Sequence, residues 1–402
     1  MKLRIPKFEN TPYAVTHTDV SSAAKALSRF LGSRNTKTAI LTGAGISTAS
    51  GLPDYRGPSG TYTTNPNHKP TLYHEFVHDE HKRKRYWSRA WIGYEQALKW
   101  ARPNVAHEVL TGWLQGGKIA GLITQNVDGL HKLSDMGFDV TQMAEIRSGS
   151  ASPELVELHG SAYRVHCLSC GERTSREAFQ DRMAEANEWS KENVGSMTGR
   201  GFDRPKSSDQ PSDKAQFVDP GMEEKANQTK VGQDDSTESK NHSTPTITPG
   251  GTATSSNPYL ASLDDSSQSR LDISGYNLST GQQLNADGDA ELDVEIDYDS
   301  VVIPPCLNCG GVLKPSIVFF GESVPEEDRI RARQLLQSSD QLLVIGTSLS
   351  TFSAFDLVRQ FYKQGKKVAV LNKGGVRGEG KDWHADVRLD GDIGSVLDKV
   401  KF

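Results

Sequence analysis

Short runs that are apolar on both faces constrain this chain most. Residues 36–41, 119–124, 318–320, 342–347 and 368–371 are each brief and rich in Val, Ile, Leu or Phe. Polar or helix-patterned stretches separate them. In residues 22–31, for example, Ala23, Ala26, Leu27, Phe30 and Leu31 recur at helical spacing. Strands that lack a polar face need cover on both sides, which is the condition of a parallel sheet between two helical layers. The expected fold is α/β, a doubly wound Rossmann-like parallel sheet.

The chain has 402 residues, enough for two ordinary domains or for one with unstructured material. Between about residues 190 and 300, Ser, Thr, Asp, Glu, Gly, Asn, Gln and Pro dominate and no structural period is sustained. Such a segment buries too little apolar surface to offset chain entropy, so disorder is expected there. The net charge of −5 argues against a grip on nucleic-acid phosphates. The basic run Lys82-Arg83-Lys84-Arg85 is short enough to be one solvated helix face. No apolar run approaches the ~20 residues that cross a bilayer, so no membrane partner is expected. The opening Met1-Lys2-Leu3-Arg4-Ile5-Pro6-Lys7 is basic and free of acid until Glu9. It fits either the start of a mitochondrial presequence or an ordinary N-terminus.

All four cysteines fall in two Cys-x-x-Cys pairs, Cys167 with Cys170 and Cys306 with Cys309. With no secretory signal in the opening residues, such pairs read as metal ligands before disulfides. Four thiolates at this spacing bind one Zn2+ tetrahedrally, and each pair runs into a glycine, Gly171 or Gly310, as in the turns of zinc ribbons. A thioredoxin-like redox motif is the rival, but it needs only one pair in a strand-to-helix setting. The long polar stretch between the pairs weakens the spacing argument without refuting it, because loop closure grows costlier only slowly with length. No cysteine is left over as a nucleophile.

Three further constellations suggest chemistry. Gly43 and Gly45 in Thr42-Gly43-Ala44-Gly45-Ile46-Ser47 let the backbone turn after a strand and approach a pyrophosphate. The following Ser50-Gly51-Leu52-Pro53-Asp54-Tyr55-Arg56-Gly57 offers Arg56 for an anion and Tyr55 as a flat face beside a sugar; an ordinary charged loop would look similar. Thr124-Gln125-Asn126-Val127-Asp128-Gly129-Leu130-His131 follows a strand, where open α/β sheets bind ligands. There Asn126 and Asp128 can hold a carboxamide and Gln125 a ribose hydroxyl, while His131 reads as structural. Finally, the imidazole of His159, beside Gly160, can accept a proton near neutral pH.

Taken together, these motifs resemble those of the sirtuins, the NAD-dependent protein deacylases. The resemblance runs from about residue 22 to 397, apart from the polar insert. GAGIS, GLPDYRG, TQNVDGLH, the His159-Gly160 dipeptide and the paired cysteines occur in family order, followed by Gly346-Thr347-Ser348-Leu349-Ser350 and Leu371-Asn372. Pro53-Asp54-Tyr55-Arg56 and Arg85-Tyr86-Trp87-Ser88-Arg89-Ala90-Trp91 are similar to the mitochondrial class II branch, which includes lipoamidase and ADP-ribosyl transfer activities. That similarity implies residence in the mitochondrial matrix, with cytoplasm or nucleus as the alternative. The implied organisation is an extension over 1–20, a first Rossmann-like part over 21–158, a zinc module over 159–314 that carries the insert, and a second Rossmann-like part over 315–402.

The resemblance also implies roles. His159 is the proton acceptor, working with Asn126 and Asp128. Gly43, Ala44, Gly45, Ile46, Ser47, Asp54, Tyr55, Arg56 and Tyr62 enclose the phosphates and nicotinamide ribose of NAD. Gln125, Asn126, Val127 and Asp128 hold ribose and carboxamide. Gly346, Thr347, Ser348, Asn372, Lys373, Gly374 and Ile393 line the adenosine side. Cys167, Cys170, Cys306 and Cys309 bind one structural zinc, while Val318, Phe319, Phe320, Gly321 and Glu322 line the acyl-lysine tunnel. The implied reaction moves an acyl group from lysine to ADP-ribose as nicotinamide leaves, on acyl-lysine protein substrates and by a monomer. Two departures stand out. Tyr86-Trp87-Ser88-Arg89 matches literally the spacing of the Tyr-x-x-Arg pair by which desuccinylating relatives grip acidic acyl groups, but matching the stretches on Trp87 puts Ala90 and Gly93 in the places of that pair, which counts against succinyl or malonyl lysine. The insert inside the zinc module is atypical. Protein ADP-ribosylation and a non-catalytic NAD- or ADP-ribose-binding scaffold are the alternative readings.

Overall fold

The computed structural model describes residues 17–32, 36–135, 152–189, 283–286, 290–291 and 297–402, all within one compact unit formed by 1–206 and 269–402. The expected N-terminal extension up to residue 16 and the expected disorder over 190–282 lie outside the described residues. In chain order the strands are β1 (Thr38–Thr42), β2 (Gly121–Thr124), β3 (Leu155–Glu157), β4 (Gly160–Cys167), β5 (Arg173–Ser175), β6 (Gln283–Leu284), β7 (Ala290–Glu291), β8 (Leu313–Ile317), β9 (Gln341–Ile345), β10 (Lys367–Leu371) and β11 (Val387–Leu389).

Six strands form one sheet in the order β11-β10-β9-β1-β2-β3, and every neighbouring pair is parallel. Why these segments become strands is visible in their burial. Ile40 packs with the helices Val20–Leu31, Val105–Gln115 and Ile393–Asp398 on one face. Its neighbours Ala39 and Leu41 pack with helices Glu326–Gln337 and Phe352–Lys363 on the other. Alternate side chains therefore both need apolar cover, as the uninterrupted hydrophobic runs predict. Strand order steps outward from β1 in one direction and from β9 in the other. That reversal opens a crevice at the carboxyl ends of β1 and β9, where ligands of doubly wound sheets sit.

A second, antiparallel sheet in the order β5-β4-β8 carries the cysteine turns. Its core joins Val165, Phe179, Met183 and Leu313 to Phe76, Trp87 and Trp91. The indole N–H groups are met as well: Trp87 donates to Leu313 O at 3.2 Å and Trp91 to Gln180 O at 3.1 Å. One expected strand moves. Residues 318–320 are not part of the parallel sheet; the strand is β8, and the apolar run after it lies along the cleft. A short run buried on both sides has the same composition in either setting, so composition alone could not separate them. The disorder expected up to about residue 300 does not hold for β6 and β7, which pair antiparallel with Leu284 opposite Ala290.

Candidate active site

The crevice is a cleft of about 1330 Å3, and every residue named above for cofactor or substrate contributes to its wall. The β1 loop forms the floor. Gly43 N donates to Ile345 O at 3.1 Å and Gly45 N to Gly346 O at 2.8 Å, tying the ends of β1 and β9 together. A Cβ on Gly43 would lie 2.6 Å from Thr347 Cβ, so only glycine allows these loops to approach so closely. The result is a backbone-lined cradle that a dinucleotide fits. Gln125 spans it, donating to Thr347 Oγ1 at 2.9 Å and accepting from Thr351 Oγ1 at 3.2 Å. Asn372 is braced from behind by Arg388, which is buried and donates to Asn372 O at 2.8 Å.

The polar end of the cleft is a buried network. Ser47 Oγ donates to Asp128 Oδ2 at 2.7 Å and accepts from Asn126 Nδ2 at 3.1 Å. Asp128 is held further by the amide of Leu130, at 3.0 Å. Behind it the rings of His107 and His131 pack together with centroids 4.7 Å apart and planes inclined by 59°. Burial pushes both imidazoles down to about 3, so both are neutral. Asp54 is pushed up by burial, against two backbone amides that favour its charged form; Gly57 N donates to its Oδ1 at 2.8 Å.

His159 stands between the loops that line the cleft and the cysteine module, directly ahead of β4. Its Nδ1 lies 3.1 Å from Gln125 O and its Nε2 lies 2.8 Å from Ser353 Oγ. A carbonyl only accepts, so the hydrogen-bond network assigns the proton to Nδ1 and leaves the Nε2 lone pair facing Ser353. Burial lowers the imidazole to about 4, opposed by the bond to Gln125. The ring is neutral at physiological pH. Gly160 follows in the left-handed region, φ 78°, where a Cβ would collide with Ser316 O, so the turn into β4 requires glycine at this position.

The segment expected to line an acyl-lysine tunnel continues from β8. Val318 N donates to His159 O at 2.9 Å, and Phe320 O accepts from Tyr73 N at 3.0 Å. Phe319 turns inward against Tyr86 and Phe76, with centroids at 5.0 and 5.1 Å. Glu322 closes the loop on itself, accepting from Phe319 N at 2.8 Å and pairing with buried Lys314 at 3.0 Å. Sequence reasoning did not find Ser353, Thr351, Arg388 or Asn285. None sits in a recognisable motif, and each reaches the cleft through a contact distant in sequence or from behind the wall.

The four cysteine sulfurs lie within 4.8 Å of one another. Cys167 and Cys309 Sγ are 3.5 Å apart, and Cys170 and Cys306 Sγ 3.7 Å. Four thiolates around one zinc at ~2.3 Å place sulfurs about 3.8 Å apart, so this cluster fits a single tetrahedral ion. Gly171 N donates back to Cys167 O, and Gly310 N to Cys306 O, which gives two matching knuckles. Four ligands leave no open position for a substrate.

Residues 43–198 and 282–353 match the sequence profile of the Sir2 family. The chain belongs to the Sir2 family. It is 30% identical over 385 residues to NAD-dependent protein deacylase SIR4 of Batrachochytrium dendrobatidis, covering 95% of this chain and 94% of that protein. NAD-dependent protein deacylase SRT2 of Arabidopsis thaliana is 30% identical over 91% of this chain and 73% of its own length. NAD-dependent protein deacylase Sirt4 of Drosophila melanogaster is 29% identical over 90% and 81%. Among solved structures, a Sir2 protein with a deacetylated peptide and 3'-O-acetyl ADP-ribose superimposes at TM-score 0.53 with 19% identity, covering 93% of this chain and 96% of that one. This last likeness concerns the Sir2 fold. Among the described residues no helix is long and apolar enough to cross a membrane.

Proposed function

We infer that this Sir2-family chain is an NAD-dependent protein-lysine deacylase, with His159 as its proton acceptor. The observation that carries the reading is the neutral imidazole of His159, fixed through Nδ1 and offering Nε2 at the junction of the glycine cradle and the β8 segment. NAD, when bound, supplies the ribose that receives the acyl group and the nicotinamide that leaves. The chain's residues do the positioning. Gly43 to Ser47 present backbone to the phosphates, and Asn126 with Asp128, locked together through Ser47, hold the carboxamide. Gln125 orients ribose, and Gly346, Thr347, Ser348, Asn372, Lys373, Gly374 and Ile393 frame the adenosine. Val318 to Glu322 guide the acyl-lysine. Holding the reactants aligned in the cleft supplies much of the rate. His159 then takes a ribose hydroxyl proton at Nε2, with Ser353 Oγ the group it must release.

Zinc bound by Cys167, Cys170, Cys306 and Cys309 would join the two knuckles and hold β4 against β8, outside the proton path. Acyl-lysine proteins are the proposed substrates. The proposed address is the mitochondrial matrix, supported by the class II resemblance of residues 53–56 and 85–91; imaging of a fluorescent fusion tests it.

The experiment is nicotinamide release by purified, zinc-loaded protein across acetyl, lipoyl, biotinyl, glutaryl and long-chain acyl-lysine peptides. Release that depends on acyl peptide is expected, with loss of turnover and retained NAD binding in His159→Tyr. Silence across the panel overturns the reading. Release indifferent to acyl peptide, accompanied by labelled protein, assigns ADP-ribosyl transfer instead.

A further inference from the structure

Chain returning from the polar insert reaches the cleft wall. Ala286 N donates to Thr61 Oγ1 at 2.8 Å, next to Tyr62 of the cofactor loop. Ala290, on β7, is buried in one cluster with Phe76, Tyr86, Trp87 and Phe319. Directly ahead of the first anchor, Asn285 lines the cleft. It is 1% exposed, yet neither its Nδ2 nor its Oδ1 has a hydrogen-bond partner. The other carboxamides of the cleft wall, Gln125, Asn126 and Asn372, are all bonded within the chain. A buried carboxamide with both functions unmet costs the fold stability, and such a group persists where something outside the chain completes it.

Its position decides what that partner is. The dinucleotide loops stand at the ends of β1, β9 and β10. Of the anchors beside Asn285, Ala286 adjoins the loop of Thr61 and Tyr62, while Ala290 packs on the substrate side in one cluster with Tyr86, whose ring meets Phe319 at 5.0 Å. Ile317, Phe319 and Tyr86 form an apolar wall of the same cleft that Asn285 lines, so an acyl chain packed on that wall shares the cleft with this amide. The amide is uncharged and offers both donors and an acceptor. A hydroxyl or cyclic urea satisfies both functions at once, whereas a carboxylate leaves Oδ1 without a donor and an alkyl terminus satisfies neither.

We propose that Asn285 is a specificity-determining residue that hydrogen-bonds the far end of the acyl group. The enzyme then favours acyl chains ending in a neutral group that both donates and accepts over alkyl chains of equal size. This rests on the deacylase reading above.

The matched probes are one peptide carrying 5-hydroxypentanoyl-lysine or hexanoyl-lysine, which differ by a hydroxyl in place of a methyl, with acetyl-lysine as reference. Wild-type, full-length protein should turn over the hydroxyacyl peptide with the higher kcat/KM. Asn285→Leu should lower the ratio of hydroxyacyl to hexanoyl kcat/KM about ten-fold and leave acetyl within two-fold, since roughly one neutral hydrogen bond is lost. Its Tm in the free state should not fall, because an unmet amide is replaced by an apolar group of similar shape. A purely structural Asn285 would lower Tm and all three activities together. Should Asn285→Leu fail to fold, the amide is structural and the proposal is wrong. A wild-type enzyme that does not prefer the hydroxyacyl peptide, or an unchanged ratio in the variant, also overturns it while the deacylase reading stands. No nicotinamide release from any peptide removes both.

Discussion

Acid should weaken this fold through the two imidazoles behind Asp128, and the size of the effect follows from burial. His107 and His131 are 0% and 3% exposed. Their rings are 4.7 Å apart, and both are lowered to about 3, chiefly by burial. The folded protein thus refuses protons that the unfolded chain accepts from about pH 6.5 downward. The sign is fixed: stability is full above pH 6.5 and is lost as pH falls from there toward 3. At pH 5.5 the folded imidazoles are still neutral, so the loss depends only on the unfolded chain. Relative to pH 7.5 it comes to about 1.4 kcal/mol for each ring and about 2.8 kcal/mol for the pair. Denaturant midpoints of wild type and His131→Gln at both pH values measure it. The variant also disturbs the 3.0 Å contact with Thr42 Oγ1, but that cost is present at both pH values and cancels in the difference. The variant should lose about 1.4 kcal/mol less than wild type on acidification, and the double variant with His107→Gln about 2.8 kcal/mol less. Equal losses in all three proteins would show that these rings are already protonated or solvated in the fold, and the argument from burial would be wrong.

Three other outcomes are expected. Cys306→Ser removes one thiolate from the cluster, so bound zinc measured by a colorimetric chelator should fall from one per chain and the melting temperature should drop with it. Arg388→Met leaves Glu379, 3.2 Å from the guanidinium and 2% exposed, as a buried charge. Chemical denaturation should register a loss of about 3–5 kcal/mol, only partly recovered in the double variant with Glu379→Met, because the carbonyls of Asn372, Gly374 and Leu389 still lack the guanidinium. Ser353→Ala removes the hydroxyl 2.8 Å from His159 Nε2; stopped assays across pH should show altered kcat with the KM for NAD within about two-fold, and a large KM change would place Ser353 in cofactor binding instead.

What the sequence revealed and what it hid divide along a physical line. Strands β1, β2, β9 and β10 are legible because each is buried on both faces and therefore apolar throughout. Strands β3 and β11, three residues each, are too short to carry a period, and the reversal of strand order that opens the cleft lies in no local pattern. The glycines of the β1 loop were visible for the same reason that they matter: a Cβ at Gly43 would strike Thr347, a residue more than three hundred positions away. Steric demand of that kind writes itself into residue type. A hydrogen bond does not, because serine, asparagine and arginine satisfy partners in countless surface settings. Ser353 reads as an ordinary first-turn serine until the fold sets it against His159, 194 positions distant. Asn285 is the extreme case. It lies in a stretch whose polar composition predicts disorder, and that composition is correct about hydrophobic content. It misses that two short anchors, Ala286 on Thr61 and Ala290 in the Phe76 cluster, suffice to hold one segment in place. An average over a hundred polar residues cannot register two contacts, so functional side chains delivered by long polar inserts have to be sought in three dimensions, at buried polar atoms that the chain itself leaves unmet.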